Sequence, residues 1–266
     1  MANMQVAPYV YSKEYYESEC GGWENWHTTY GTKIEPRLSY PYKLAKIKKG
    51  MRVLDFGCGR GELTWRAAKQ GAIAIGMDYS KDALELTKKL PKLKNGSLTF
   101  VHNTTLKLDL ASDSIDTILF IDVLEHLYPK QLDILLKEFR RVLRKGGRVI
   151  VHTAPNRDYY DYGYPLFTRW ASMLINPVYR LVFGEWLITR ANPRRPYDAL
   201  VHINESTMSE VKTYFTKGGF RNNNLWYSSE HGNIRIRDKV RLYLLQPQYG
   251  VLKRWFCYDI WGICTK

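Results

Sequence analysis

Val53-Leu-Asp-Phe-Gly-Cys-Gly-Arg-Gly-Glu-Leu63 is the stretch on which the fold turns. Val53, Leu54 and Phe56 are the apolar residues of a buried strand that runs straight into three alternating glycines, Gly57, Gly59 and Gly61. Glycine tolerates positive φ and puts no Cβ between the backbone and a ligand. Leu63, Trp65, Ala67 and Ala68 then begin a helix. A strand, a glycine turn and a helix N-terminus together present bare backbone N–H groups to a ligand.

The residues downstream keep an alternating strand–helix rhythm. Ala72 to Asp78 is a second apolar strand that ends in an acid, roughly 20 residues past the glycines, as nucleoside-binding α/β folds require. A carboxylate there can accept both ribose hydroxyl protons. Tyr79 follows and offers a ring for stacking, and Ser80 is placed to cap a helix over Lys81 to Leu90. Leu98 to His102 reads as a third strand, followed by Asn103, Thr104 and Thr105. Asp113-Ser-Ile-Asp116 leads into a fourth, Thr117 to Asp122. Pro129 suits a first helical turn, and Leu132, Leu135, Leu136, Phe139, Val142 and Leu143 repeat at helical spacing. Arg144-Lys-Gly-Gly147 is expected to stop that helix before a fifth strand, Arg148 to Thr153.

The glycine stretch, read as Asp55-Phe-Gly-Cys-Gly-Arg-Gly61, resembles the first motif of the class I S-adenosylmethionine-dependent methyltransferases, D-x-G-x-G-x-G. The acid ending strand two, the Ser-Ile-Asp entry to strand four, the segment Asp122-Val-Leu-Glu-His-Leu127 and the Lys-Gly-Gly before strand five follow in that family's order, so the resemblance covers about residues 50 to 156. It implies a Rossmann-like α/β fold with a seven-stranded, mostly parallel sheet whose last strand is antiparallel. It also implies S-adenosylmethionine as cofactor. Gly57, Cys58 and Gly59 would hold its amino-acid end, with Phe56 beside them and Asp55 steadying the loop. Asp78 would take the ribose, Tyr79 the adenine face, and Asp122 to Leu124 the methionine amine and sulfur. Where the family commonly places an acid for the adenine amino group, this chain has Asn103 and Thr104, which offer side-chain acceptors instead.

The flanking regions are read more coarsely. Residues 1 to 50 are expected to be a helical segment lying over the cofactor, with short helices at Ser12 to Glu19 and Leu38 to Ile47, and with Tyr30 and Arg37 reaching the methionine end. Residues 51–156 and 201–266 form the core, and 157–200 an insertion. The insertion is strongly apolar, is expected to kink or split at Pro177, and reads as a helical lid over the substrate, a membrane contact or a dimer interface. Tyr159, Tyr160 and Tyr162 are candidates for an aromatic acceptor pocket. Thr207-Met-Ser-Glu210 is a capping box, Phe220 to Tyr227 a sixth strand, Arg235 to Leu245 a basic amphipathic helix, and Trp255 to Thr265 the last strand, pairing antiparallel with the sixth.

Methyl transfer from a sulfonium is a displacement that needs an aligned nucleophile, and a base only where the nucleophile carries a proton. His126, after strand four, and His202, before the capping box, are the candidate proton acceptors, whereas His152 lies inside strand five and reads as structural. No Asn-Pro-Pro-Tyr or Asp-Pro-Pro-Tyr run follows strand four, which argues against exocyclic amines of DNA bases. The expected function is therefore methylation of a small molecule, on oxygen before nitrogen or carbon, with an acidic or lipid-like acceptor in view.

The 266 residues carry a formal net charge of +14, which favours acidic partners and keeps an RNA methyltransferase as an alternative. A catalytically idle S-adenosylmethionine-binding protein is a second alternative. The glycine spacing disfavours a nicotinamide dehydrogenase. Cys20, Cys58, Cys257 and Cys264 have no metal or disulfide spacing, so no metal is expected and the thiols read as reduced, in a cytoplasmic protein. No apolar run reaches the ~18 residues of a membrane span.

Overall fold

The computed structural model describes residues 6, 8–94, 97–229, 236–247 and 249–266. Among them, seven strands form one sheet in the order β3-β2-β1-β4-β5-β7-β6. β1 (Arg52–Phe56), β2 (Ile73–Asp78), β3 (Ser97–His102), β4 (Ile115–Ile121) and β5 (Leu143–Thr153) run parallel. β7 (Asp259–Thr265) lies between β5 and β6 (Asn222–Ser228), antiparallel to both. The strand order reverses between β1 and β4, and in open α/β sheets the crevice beyond such strand ends is where ligands bind.

The sheet is covered on both faces, so its central strands are apolar throughout. Successive side chains alternate between faces. Leu54, Ile118, Phe120 and Val151 pack on one side with Leu132, Leu135, Leu136 and Phe139 of α5 (Pro129–Val142) and with Val211 and Phe215 of α8 (Met208–Lys217). Val53, Ala74, Leu119 and Ile150 pack on the other with Leu38 and Ala45 of α2 (Pro36–Ala45) and Leu63, Ala67 and Ala68 of α3 (Glu62–Lys69). Both predicted caps are formed. Ser80 Oγ accepts the Ala83 N–H at the start of α4 (Lys81–Thr87), and Thr207 and Glu210 exchange bonds at the start of α8.

Several elements differ from the sequence reading. The Cys20 to Tyr30 segment contains a helix, α1 (Trp23–Thr29), entered through Gly22 at φ 84°. Arg144 to Gly147 is not a helix terminus. The β4–β5 register jumps from Ile115↔Leu143 to Thr117↔Arg148, so these four residues bulge out of a ladder that has already begun. The last strand starts at Asp259, because Trp255 and Phe256 close a short helix, α10 (Lys253–Phe256). The insertion winds as wide π-type turns over Tyr159–Thr168 into α6 (Arg169–Phe183), which Pro177 does not split. The Met173 carbonyl that a proline at 177 leaves without its helical donor belongs to an exposed residue, where water can serve it. α7 (Asp198–Val201) follows, and α9 (Ile236–Leu245) supplies the expected amphipathic helix, while Arg235 lies outside the described residues.

The N-terminal segment packs beside the glycine turn. Tyr11, Tyr16 and Trp26 share a cluster with Ala83 and Leu86 of α4 and Val201 of α7. Buried Arg60, within the glycine turn, donates to the carbonyls of Tyr16 at 2.9 Å, Cys20 at 3.2 Å and Gly21 at 2.6 Å.

Candidate active site

A cavity of about 470 Å³ opens at the C-terminal ends of β1, β2, β4 and β5, within the size range of small-molecule sites. Its floor is the glycine turn. Gly57 has φ 75° and an added Cβ would stand 2.3 Å from Val123 Cγ2, so only glycine fits there. Gly59 has φ 51° and faces only the Tyr16 ring, at 3.6 Å. The Gly57 and Cys58 N–H groups donate to the Met77 carbonyl at 2.7 and 3.0 Å, which ties the turn to the end of β2.

Two carboxylates underlie that turn. Asp78 accepts the Gly59 N–H at 2.8 Å and the Ser80 N–H at 2.9 Å. Burial raises its pKa, and those backbone donors oppose the rise. Asp55 accepts the Thr64 hydroxyl at 2.6 Å and fastens the first turn of α3 to β1. Burial pushes Asp55 up to about 7, against the Thr64 bond.

At the end of β4 the chain turns through Asp122 at φ 55°, a left-handed conformation that is uncommon outside glycine and concentrates at functional sites. This turns the Asp122 carboxylate toward Arg37 and His152, with both of which it is in short contact. His152 also meets Asp259 at 3.0 Å and stacks on Trp261 with ring centroids 3.9 Å apart. Arg37, Asp122, His152 and Asp259 thus form one chain of polar contacts from the N-terminal segment to β7, and all four line the cavity.

The opposite end of the cavity carries two imidazoles. His126 Nδ1 lies 3.1 Å from the Val201 carbonyl and 2.9 Å from the Tyr11 hydroxyl. A carbonyl can only accept, so Nδ1 carries the hydrogen and Nε2 the lone pair. Burial, then neighbouring His202, lowers the His126 pKa to about 3. The His202 ring is 5.0 Å away, its Nδ1 is buried without a partner, and burial lowers its pKa as well. Glu125 lies beside them, fully buried, accepts the Thr153 hydroxyl at 2.9 Å, and is raised by burial to about 7. Ligand atoms of Glu125, His126 and His202 all fall within 4.8 Å of one another, a grouping that could hold a metal ion. Arg195 and Asp198, paired at 2.7 and 2.9 Å, and Tyr258 complete this end.

Of the residues singled out from the sequence, Asp55, Phe56, Gly57, Cys58, Gly59, Asp78, Tyr79, Asn103, Thr104, Asp122, His126, His202 and Arg37 all line this one cavity. Leu124 does not; its side chain is buried in the α5 core. Tyr30 is half exposed and also lies outside the lining. The tyrosine trio is elsewhere too. Tyr159 is buried against Gln246, Tyr160 reaches the Tyr258 hydroxyl at 3.3 Å from behind, and Tyr162 is exposed. The aromatic rings that line the cavity are instead Tyr11, Tyr15, Tyr16, Tyr79 and Tyr258. His152 was read as structural, yet it contributes to the cavity wall, because position 152 is the last but one of β5. Arg195 and Asp198 carried no sequence signal beyond their charge, and Arg60 and Glu125 sat inside the motifs without a role of their own.

Residues 54–151 match the family described as "Methyltransferase domain". The ubiquinone biosynthesis O-methyltransferase of Vibrio cholerae is 32% identical over 133 residues, covering 49% of this chain and 53% of that protein. The chain spans about half the length of the curated relatives it matches. Among solved structures, an S-adenosylmethionine-dependent methyltransferase from Mesorhizobium loti superposes with a TM-score of 0.58 at 17% identity, covering 87% of this chain and 98% of that one. One from Archaeoglobus fulgidus gives 0.53 at 17% identity, over 86% and 94%. The chain thus carries a methyltransferase domain at 54–151, and the seven-stranded sheet that extends it has the fold of the class I S-adenosylmethionine-dependent methyltransferases.

Proposed function

We propose that this chain transfers a methyl group from S-adenosylmethionine to an oxygen of a small-molecule acceptor. The observation that carries the reading is the continuity of one cavity from the glycine turn to the imidazole pair. The O-methyltransferase relatives support oxygen as the receiving atom.

The residues fit the cofactor. Gly57 and Gly59 leave a cradle that a Cβ would narrow, and Asp78 stands beneath it with its carboxylate in the cavity wall. In this reading Asp78 holds the ribose hydroxyls, Tyr79 covers the adenine, and Asn103 or Thr104 accepts from the adenine amino group. Asp122 accepts from the methionine amine, and Arg37, held beside it, pairs with the methionine carboxylate. When bound, the sulfonium supplies a methyl group already activated toward displacement.

The protein's remaining task is to orient the acceptor and take its proton. His202 is the better proton acceptor of the two imidazoles. Its Nδ1 is unpartnered, whereas burial holds the pKa of the His126 imidazole down at about 3. His126 packs against His202 and orients it. Glu125, Arg195, Asp198 and Tyr258 offer hydrogen-bonding groups to the body of the acceptor.

The RNA alternative finds basic residues in the wrong place. Lys137, Arg140, Lys212, Lys217 and Arg221 border a separate groove between α5, α8 and β6, whereas the cavity itself includes Glu19, Glu125, Asp198 and Asp259. Calorimetry with S-adenosylhomocysteine tests the cofactor assignment. Asp78→Ala should weaken binding at least about tenfold, the equivalent of one lost charge-assisted hydrogen bond. Unchanged affinity overturns the ribose assignment. His202→Gln should lower turnover on a phenolic or polyol acceptor panel while sparing cofactor affinity; product formation at the wild-type rate removes His202 as the base, and no turnover by the wild-type chain favours the idle binding protein.

A further inference from the structure

α6 packs Ala171, Ile175, Tyr179 and Phe183 around Leu187 and Leu245, and still leaves a second apolar row open to water. Ser172, Asn176 and Tyr179 are its buried residues, while Trp170, Leu174, Val178, Leu181 and Val182 face away from the protein. Leu174 is 82% and Leu181 86% exposed. Asn176, on the inward side, accepts the Leu187 N–H at 2.8 Å and donates to the Leu187 carbonyl at 3.3 Å. A surface helix in water normally turns a polar face outward. The apolar face is also not isolated. Thr168 donates to the Leu245 carbonyl at 3.0 Å, and Phe167 meets Phe256 edge-on, which brings α9 and α10 alongside. Their exposed Tyr243, Leu244, Val251 and Trp255 continue the surface. Apolar patches of this kind are rare on soluble monomers unless something covers them.

Charge identifies what covers it. From 169 to 190 the sequence has Arg169, Arg180 and Arg190 against one acid, Glu185, and exposed Lys239, Arg241 and Lys253 lie on the neighbouring helices. Trp170 and Trp186 are the half-exposed indoles of the same surface, and indoles favour the boundary between hydrocarbon and water. A second copy of the chain would bring the same patch against itself, arginine against arginine, because a two-fold contact is made by one surface on both partners. An anionic bilayer answers both the apolar and the cationic parts.

We propose that α6, with α9 and α10 beside it, seats the protein on the surface of an anionic membrane. No helix among the described residues is long and apolar enough to cross a membrane. The helix lies in the plane of the interface, its apolar face sunk into the headgroup–acyl boundary. The inference is independent of the cofactor and acceptor assignments.

Co-sedimentation of the full chain with phosphatidylcholine vesicles, with and without phosphatidylglycerol, tests it. Binding should require phosphatidylglycerol, weaken as salt rises, and be accompanied by a blue shift of tryptophan emission. Leu174→Glu and Leu181→Glu together should reduce binding at least about tenfold, since they place two charges where apolar side chains would be buried. The double variant must keep wild-type S-adenosylhomocysteine affinity, which shows that it folds. Wild-type chain left in the supernatant with both vesicle types overturns the proposal. So does a dimer in light scattering that the double variant dissociates while vesicle binding is unaffected, an outcome that assigns the face to a second copy.

Discussion

α5 and α6 are nearly the same length, 14 and 15 residues, and both pack apolar side chains inward, yet they turn different faces to water. α5 buries Leu132, Leu135, Leu136, Phe139 and Val142 against the sheet and shows its lysines and arginines to water. α6 packs Ala171, Ile175, Tyr179 and Phe183 inward beside Ser172 and Asn176, and shows a row of leucines and valines. Periodicity reveals that a helix has two faces; it does not reveal which one meets the protein. For α5 the neighbouring strands decide the matter, since the sheet needs an apolar cover. α6 has no sheet beneath it, and its polar side chains instead tie down the returning segment 185–188.

The largest expected effect that probes this contrast is in α5. Phe139→Ala should cost about 3–5 kcal/mol of unfolding free energy, because the ring is fully buried and meets Phe56 and Phe120 edge-on at 5.3 and 5.2 Å. Denaturant titration measures it, and a loss under about 1 kcal/mol would mean that α5 is not the sheet's cover. Next comes the inward side of α6. Asn176→Ala leaves a buried Leu187 N–H without its acceptor, which should cost about 1–3 kcal/mol. Hydrogen exchange should show the loss concentrated at 185–188 and in α6, with β1 to β5 unchanged. Faster exchange spread evenly through the sheet would refute the separation of the two regions.

The same physical divide explains what was legible in the sequence. From β1 to β5 each signal is local and has one reading: a glycine turn after an apolar strand, an acid closing β2, Ser80 as a cap, five apolar positions on α5. These residues also place the glycine-turn half of the cavity, because the strand ends bring Asp55, Asp78, Asn103 and Asp122 together whatever the loops do. The rest of the lining depends on contacts far apart in sequence. His126 meets Tyr11, 115 positions away, and Arg60 holds the carbonyls of Tyr16, Cys20 and Gly21, so neither appears in any window of consecutive residues. The tyrosines 159, 160 and 162 looked like a pocket because they are clustered, but the π-type winding that follows β5 turns them toward α9 and β7. His152 was discounted for lying in a strand, although the last residues of a parallel strand border the ligand crevice.

pH should divide the molecule along the same line. Asp55 and Glu125, both in the strand-end region, are raised by burial to about 7. Each is protonated more readily folded than unfolded, so its contribution to stability is complete below about pH 4 and is lost as pH rises through 7. His126, lowered to about 3, acts in the opposite sense, but only below its unfolded value of about 6.5. Between pH 6.5 and 8 the carboxylates therefore dominate, and stability should fall by up to roughly 1 kcal/mol per pH unit for each proton released. Asp55→Asn should flatten that fall, because the side-chain oxygen still accepts from Thr64 but no longer ionises. Thermal unfolding at a series of pH values checks this, and a slope identical to wild type would place the titration elsewhere. α6 buries no carboxylate, so the variant should leave its exchange rates unchanged.

The smallest effect is the sharpest discriminator between the two helices. Leu181→Glu replaces the most exposed leucine of α6, so in free solution it should alter stability by no more than about 0.5 kcal/mol in either direction. The corresponding change in α5, Leu135→Glu, buries a charge in the core and should abolish folding. If Leu181→Glu unfolds the chain as Leu135→Glu does, the leucine face of α6 is packed against protein in solution and is not an open surface. If it is silent in denaturant titration, that face is open to water when the protein is alone. Its apolar character then answers to something other than folding, since sequence drift would erase an unused row of leucines and valines at almost no cost in stability.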